Sequence, residues 1–198
     1  MEIDETFREF EGAVFDALEG KLSLYPSEEE KKTIIASIAK NIHPNASQEE
    51  INQIINDAKS FPPIDKYLYA EEVEDIMVNN TTNIFLYVSG AGSRKAPERI
   101  EKREDLDLLV KKMKMYATTS VSNRQIFDVH LPNGSRANIV NSPLGANITI
   151  RNFKRKAMSI IDLINAGELS YNMAGRLWLY VDGLKVRPAN LLIGGMPA

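Results

Sequence analysis

Across residues 1–60, apolar positions return every three or four places, the period of a helix with one buried face. Ile3, Phe7, Phe10, Val14 and Leu18 make one such stripe and predict a helix over Glu2–Leu18. Ile34, Ile35, Ile38 and Ile42 make a second, opened by Ser27 with Glu30 three places on. In a Ser-x-x-Glu pair, hydroxyl and carboxylate each satisfy a backbone N–H left orphaned at the helix start. Ser47 and Glu50 repeat the device ahead of Ile51, Ile54, Ile55 and Ala58. Phe61-Pro62-Pro63 ends this third helix, because proline cannot continue one. Residues 1–60 are expected to form a helical N-terminal subdomain, a small antiparallel bundle.

From about residue 64 the pattern mixes two periods. Asp75–Val78 and Ile84–Ser89 predict strands around the turn-prone stretch 79–83, and the charged stretch Arg94–Arg103 predicts a solvated loop and sheet edge. Glu104–Thr118 predicts a helix with Leu106, Leu109, Val110 and Met113 on one face. Ile126–Leu131 and Ser135–Asn141 flank Pro132-Asn133-Gly134 and predict a hairpin, Asn-Gly supplying the two positive-φ positions of a tight turn. A further strand is expected over Asn147–Phe153, then helices over Ser159–Asn165 and Ser170–Val181. Met173, Leu177, Trp178 and Val181 are expected to face inward on the last helix. Leu191, Leu192 and Ile193 form a short apolar run of the kind that makes a buried strand.

Composition narrows the field. Hydrophobic content of 43% and charged content of 26% are ordinary for a globular protein. A net charge of −3 argues against a dedicated nucleic-acid binder, so no nucleic-acid partner is expected. With no cysteine, there is no disulfide framework and no thiolate metal site. His43 and His130 lie far apart, and no metal site is expected. No apolar run approaches the roughly 18 residues of a membrane span. The acidic start Met-Glu-Ile-Asp-Glu lacks the basic opening of a signal peptide.

The end of the sequence carries candidate chemistry. The apolar run meets Gly194-Gly195, and Gly194 through Ala198 would fill the first Gly and four spacers of a phosphate-binding loop. The Gly-Lys-Ser/Thr that completes such a loop, where backbone N–H groups and the Lys hold nucleotide phosphates, is not in the sequence. Two readings stand on these residues alone: a polypeptide cut at the loop, and a Gly-rich tail.

Four segments in order then resemble one family. Glu71-Glu72-Val73-Glu74-Asp75-Ile76-Met77-Val78-Asn79 resembles the E-x-I-M-V-N opening of secretion-superfamily ATPases. Leu131-Pro132-Asn133-Gly134-Ser135-Arg136-Ala137-Asn138 is similar to their L-P-(D/N)-G-S-R-x-N hairpin. Ile148-Thr149-Ile150-Arg151-Asn152-Phe153-Lys154 is similar to their T-I-R-K-F strand. Leu177-Trp178-Leu179-Tyr180-Val181, then Asn190 through Gly195, resembles the helix and strand leading into their Walker A loop. These are the motors of type II and type IV secretion, type IV pili and the archaeal flagellum, and the last segment looks most like the archaeal branch. The resemblance covers roughly residues 60–198.

The helical subdomain (1–60) lies outside the resemblance, which implies that a PAS-like domain with an antiparallel sheet (64–157) follows it, then linker helices and the first strand of a RecA-like lobe (158–198), an α+β chain in all. The resemblance also implies a homo-hexamer, ATP and Mg²⁺ in the full-length protein, and a cytoplasmic position against an inner-membrane platform protein. No catalytic residue is expected in this chain, and no cofactor is expected to bind it tightly. In the family, the arginines matching Arg136 and Arg151 reach the phosphate end of ATP, across the cleft from the RecA-like lobe. A guanidinium presents a planar fork of donors suited to phosphate oxygens. The competing reading is a surface arginine paired with a carboxylate, which contributes little. Gly194 and Gly195 join the nucleotide-binding candidates, with Arg124 and Lys154 as secondary ones. Arg124 stands where the family has proline, which puts the local loop shape in doubt. At least two of Lys154, Arg155 and Lys156 are expected on a wet face. The alternative to the motor is a stand-alone, non-enzymatic PAS-like sensor or scaffold.

Overall fold

The structure, a computed structural model, describes residues 5–22, 27–79, 83–121, 124–153, 158–192 and 194. It divides into two compact units, Met1–Lys154 and Arg155–Ala198.

The first unit opens with helices α1 (Glu5–Ala17), α2 (Glu28–Ile42), α3 (Gln48–Asp57) and the single turn α4 (Asp65–Leu68). Both expected capping boxes form: Ser27 and Ser47 each accept from the N–H three residues on, and Glu30 and Glu50 each accept from the cap N–H. Strands β1 (Val73–Asn79), β2 (Asn83–Val88) and β3 (Gly92–Lys95) follow, then α5 (Arg103–Lys114) and strands β4 (Ile126–His130), β5 (Arg136–Ser142) and β6 (Gly145–Arg151). The α+β class and its order, helices then antiparallel sheet, agree with the sequence reading.

All six strands make one antiparallel sheet in the order β3-β2-β1-β6-β5-β4. Alternation along each strand puts one face inside. Leu86, Ile76, Ile150, Ala137 and Val129 form one buried row across five strands, and Ile84, Val78, Ile148, Ile139 and Phe127 form the next. Helix α5 lies along β6 and meets α1, so Leu106, Leu109 and Met113 share a core with Val14, Phe15 and the sheet rows. The other sheet face carries most of the polar positions, exposed at Asp128, His130, Arg136, Thr149 and Arg151, together with the apolar Met77, Phe85 and Ile126. The stretch expected to be loop and edge from Arg94 begins inside the short strand β3, whose exposed Ser93, Arg94 and Lys95 suit an edge that must not pair further.

The hairpin between β4 and β5 differs from expectation. Of its Asn-Gly pair only Gly134 has positive φ, 87°. Pro132 fixes a negative φ at the first corner, so Leu131 to Gly134 closes as an ordinary turn, with the Gly134 N–H on the Leu131 carbonyl at 2.9 Å. Gly134 then takes the left-handed position, and a side chain there would meet the Phe153 ring at 3.2 Å.

The second unit contains α6 (Ile160–Asn165), α7 (Tyr171–Asp182) and a 3-10 turn, Gly183–Lys185. Ser159 and Ser170 cap the two helices. Gly183 ends α7 in the left-handed conformation, and a Cβ there would collide with the Pro188 backbone. Two expectations fail here. Trp178, Val181 and Met173, expected inward, are 68%, 63% and 50% exposed, and Ala174 is the one buried residue among those described in this unit. Two short helices enclose too little volume to cover an apolar face. Leu191 and Leu192 are irregular and exposed instead of forming a strand, while Ile193 lies outside the described residues. A strand needs another to pair with, and none lies among the described residues of this unit.

Candidate functional site: an arginine pair on the open sheet face

The candidate site is built by register. Arg136 opens β5, Arg151 ends β6, and the two are direct cross-strand partners. Opposed antiparallel residues have Cα atoms ~5 Å apart and side chains on one face. The same row continues to Asp75 on β1 and His130 on β4. Four side chains therefore stand abreast at one end of that face: Asp75, Arg151, Arg136 and His130.

Two like charges directly opposed are unfavourable, and the flanking strands offset them. The Arg151 Nε donates to Asp75 Oδ1 at 3.0 Å, and the Arg136 Nη2 to Asp128 Oδ2 at 3.3 Å. Asn138 and then Arg136, both donating to Asp128, hold its carboxyl below the usual aspartate range. The guanidinium side chains remain 81% (Arg151) and 64% (Arg136) exposed. Ion pairs whose guanidinium groups are this open contribute little. A phosphate taking both forks would make charge-assisted, bidentate contacts, a better match than either monodentate carboxylate.

The tip beside the pair is anchored by groups that the sequence reading did not single out. Ser135 is fully buried, and its Oγ accepts from the Phe153 N–H at 3.1 Å. The Asn152 side chain donates to the carbonyls of Tyr67 at 2.8 Å and Val73 at 3.0 Å. Asn133 donates to the Leu68 carbonyl at 2.9 Å and accepts from the Ser135 N–H. Ser and Asn in and beside a turn are a general signal for such side chain to backbone bonds, but the partner segment is not readable from spacing.

The other candidates are placed differently. Arg124 is exposed and precedes β4, at the opposite end of that strand from the His130–Arg136 pairing, so it does not join the pair. Gly194 is exposed, in the second unit, and Lys154 and Gly195 lie outside the described residues. Asn138 has a structural partner, Asp128 Oδ1 at 3.2 Å. Among the described residues no cluster of His, Cys, Asp and Glu is arranged to hold a metal ion. No helix among them is long and apolar enough to cross a membrane.

No protein-family model matches the chain. An uncharacterized protein of Methanocaldococcus jannaschii is 31% identical over 131 residues, 63% of this chain and 18% of the relative. The chain thus spans less than a fifth of the length of that curated relative. Among solved structures, the VirB11 ATPase from the Brucella suis type IV secretion system, crystallised with sulphate, aligns with a TM-score of 0.49. The alignment has 20% identity and covers 59% of this chain and 35% of that one.

Proposed function

We propose that this chain is the N-terminal region of a secretion-superfamily motor ATPase of the archaeal pilus and flagellum branch. In this reading Arg136 and Arg151 close over the phosphate end of ATP, which is held by a RecA-like lobe of the same polypeptide. The observation that carries it is the register that sets the two arginines opposite each other, with both guanidinium groups exposed. Two further features support it: the four resembling segments fall in family order, and α7 offers an apolar surface for a further lobe to cover. Mg²⁺ would take its ligands from the RecA-like lobe. The full-length protein would be a hexamer docked on an inner-membrane platform protein from the cytoplasm, moving pilin or another protein.

The arginines' part in this chemistry is to grip and orient the triphosphate and to tie nucleotide state to lobe position. Arg151→Ala in the full-length protein should cut ATP turnover by at least ~10-fold, since an arginine on a transferring phosphate contributes that much or more. Turnover near that of the unaltered protein would remove Arg151 from the reaction. Reading the coding sequence past Ala198 is a second check. Gly-Lys-Thr or Gly-Lys-Ser there supports the motor, and any other sequence counts against it.

A further inference from the structure

Far from the arginine row in sequence, the first unit buries charge of opposite sign. Glu11 of α1 and Lys112 of α5 are each 5% exposed. Both line a cleft of about 470 Å³ bounded by α1, the end of α3, the Pro62-Pro63 turn, residues 99–102 and α5. The Lys112 ammonium has three protons to donate and one hydrogen bond to a described residue, a long 3.5 Å contact to the Ser60 carbonyl. It also sits over the Phe15 ring at 5.4 Å. Burial pulls its pKa below the ordinary lysine value, against the fields of Glu11, Asp57 and Asp65. An ammonium this buried with so little coordination calls for an anion.

The neighbouring charges do not supply that anion in full. Burial lifts Glu11 to about 7, with Lys112 and Arg8 pulling it down and Asp57 pushing it up through charge and a hydrogen bond. Below pH 7, then, Glu11 holds its proton and brings no negative charge to Lys112. Arg8 is taken by Asp105 at 3.0 Å. Arg99 stands 3.8 Å from Glu101, both at the exposed rim, and Lys102 has no ion pair with a described residue. The remaining wall is apolar, with Pro62, Ile100 and Leu108.

We infer that this cleft is a binding site for a small organic anion. Its phosphate or carboxylate group is seated on Lys112 and met at the rim by Lys102 and Arg99, with its apolar body against Pro62, Ile100 and Leu108. The site owes nothing to the nucleotide reading and involves none of its residues.

The test is titration of the chain with phenyl phosphate and, separately, benzoate, followed by NMR or calorimetry. Saturable binding of one or both is expected. A preference for phenyl phosphate assigns a phosphorylated ligand, and a preference for benzoate a carboxylic acid. Lys112→Met keeps the length of the side chain, removes the charge, and should weaken binding by ~10-fold or more. The rim variants Lys102→Ser and Arg99→Ser, exposed and so without consequence for folding, should each weaken it ~3-fold. The affinity of the wild type relative to Glu11→Gln should fall as pH rises through 7, because ionised Glu11 competes for Lys112 and repels the ligand. Taking that ratio cancels the titration of the probe itself. The inference is overturned if neither probe binds saturably, or if Lys112→Met binds as tightly as the wild type. Should Lys112→Met not fold, unchanged affinity in the double rim variant overturns it equally.

Discussion

The two units of this chain are built from sequence of similar texture and come out differently. In the first, every strand finds a neighbour, and Val14, Phe15, Ile54, Ile76, Leu106, Ile139 and Ile150 share one continuous core. In the second, α7 carries Trp178, Leu179, Tyr180 and Val181 in succession, all at least half exposed except Tyr180 at 49%. An apolar side chain stabilises a fold only by what covers it. The first unit contains its own cover. The second has apolar surface without a core among its described residues.

Substitutions can break or sharpen that contrast. Phe15→Ala empties a fully buried site and should cost ~3–5 kcal/mol in urea unfolding. A smaller loss would mean that the first unit is less tightly packed than its core implies. Next comes the buried acid. Glu11 titrates near 7 in the folded chain and near its ordinary 4.5 when unfolded. Between those pH values the folded state holds the extra proton, so this contribution is full below 4.5 and is lost as pH rises through 7. Glu11→Gln should flatten that slope, by on the order of 2 kcal/mol between pH 4.5 and 8, read from denaturation at several pH values. Ser47→Ala removes a formed capping box and should cost ~1 kcal/mol. Smallest of all, Trp178→Ala should change the stability of this chain by less than ~0.5 kcal/mol, because the indole is already in water. In a longer polypeptide where α7 is covered, the same change should rise to several times that value, and an equally small cost there would show that nothing packs on the helix.

The features legible in the sequence were those set by local chemistry. Helices α1 to α3 and α5 follow from periodicity and caps, and β1, β2, β4, β5 and β6 from alternation, each within a few residues of its place. The place of the turn at Gly134 is legible and its type is not, because the constraint from Pro132 outweighs the preference of an Asn-Gly pair. Strand β3 was hidden, since Gly-Ser-Arg-Lys has no strand propensity and is held by pairing to β2 alone. Exposure of α7 is not legible, because periodicity marks which face is apolar and says nothing about whether a neighbour is present. At the arginine site, the residue types were readable but their adjacency was not: Arg136 and Arg151 meet through the β5–β6 register, and Asp75 comes from a strand 76 residues earlier. The Glu11–Asp57–Lys112 cluster gave no signal, because nothing in spacing distinguishes a buried charge from a wet one.

One hydroxyl governs how the arginines can move. Ser135 ties the hairpin tip to Phe153, and the adjoining Asn152 is lashed to the corner between α4 and β1. Three stretches of backbone thus meet in a single knot. Pulling on the chain just past β6 would drag Arg136 and Arg151 together, as a handle turns a blade, so force entering there reaches both guanidinium groups at once.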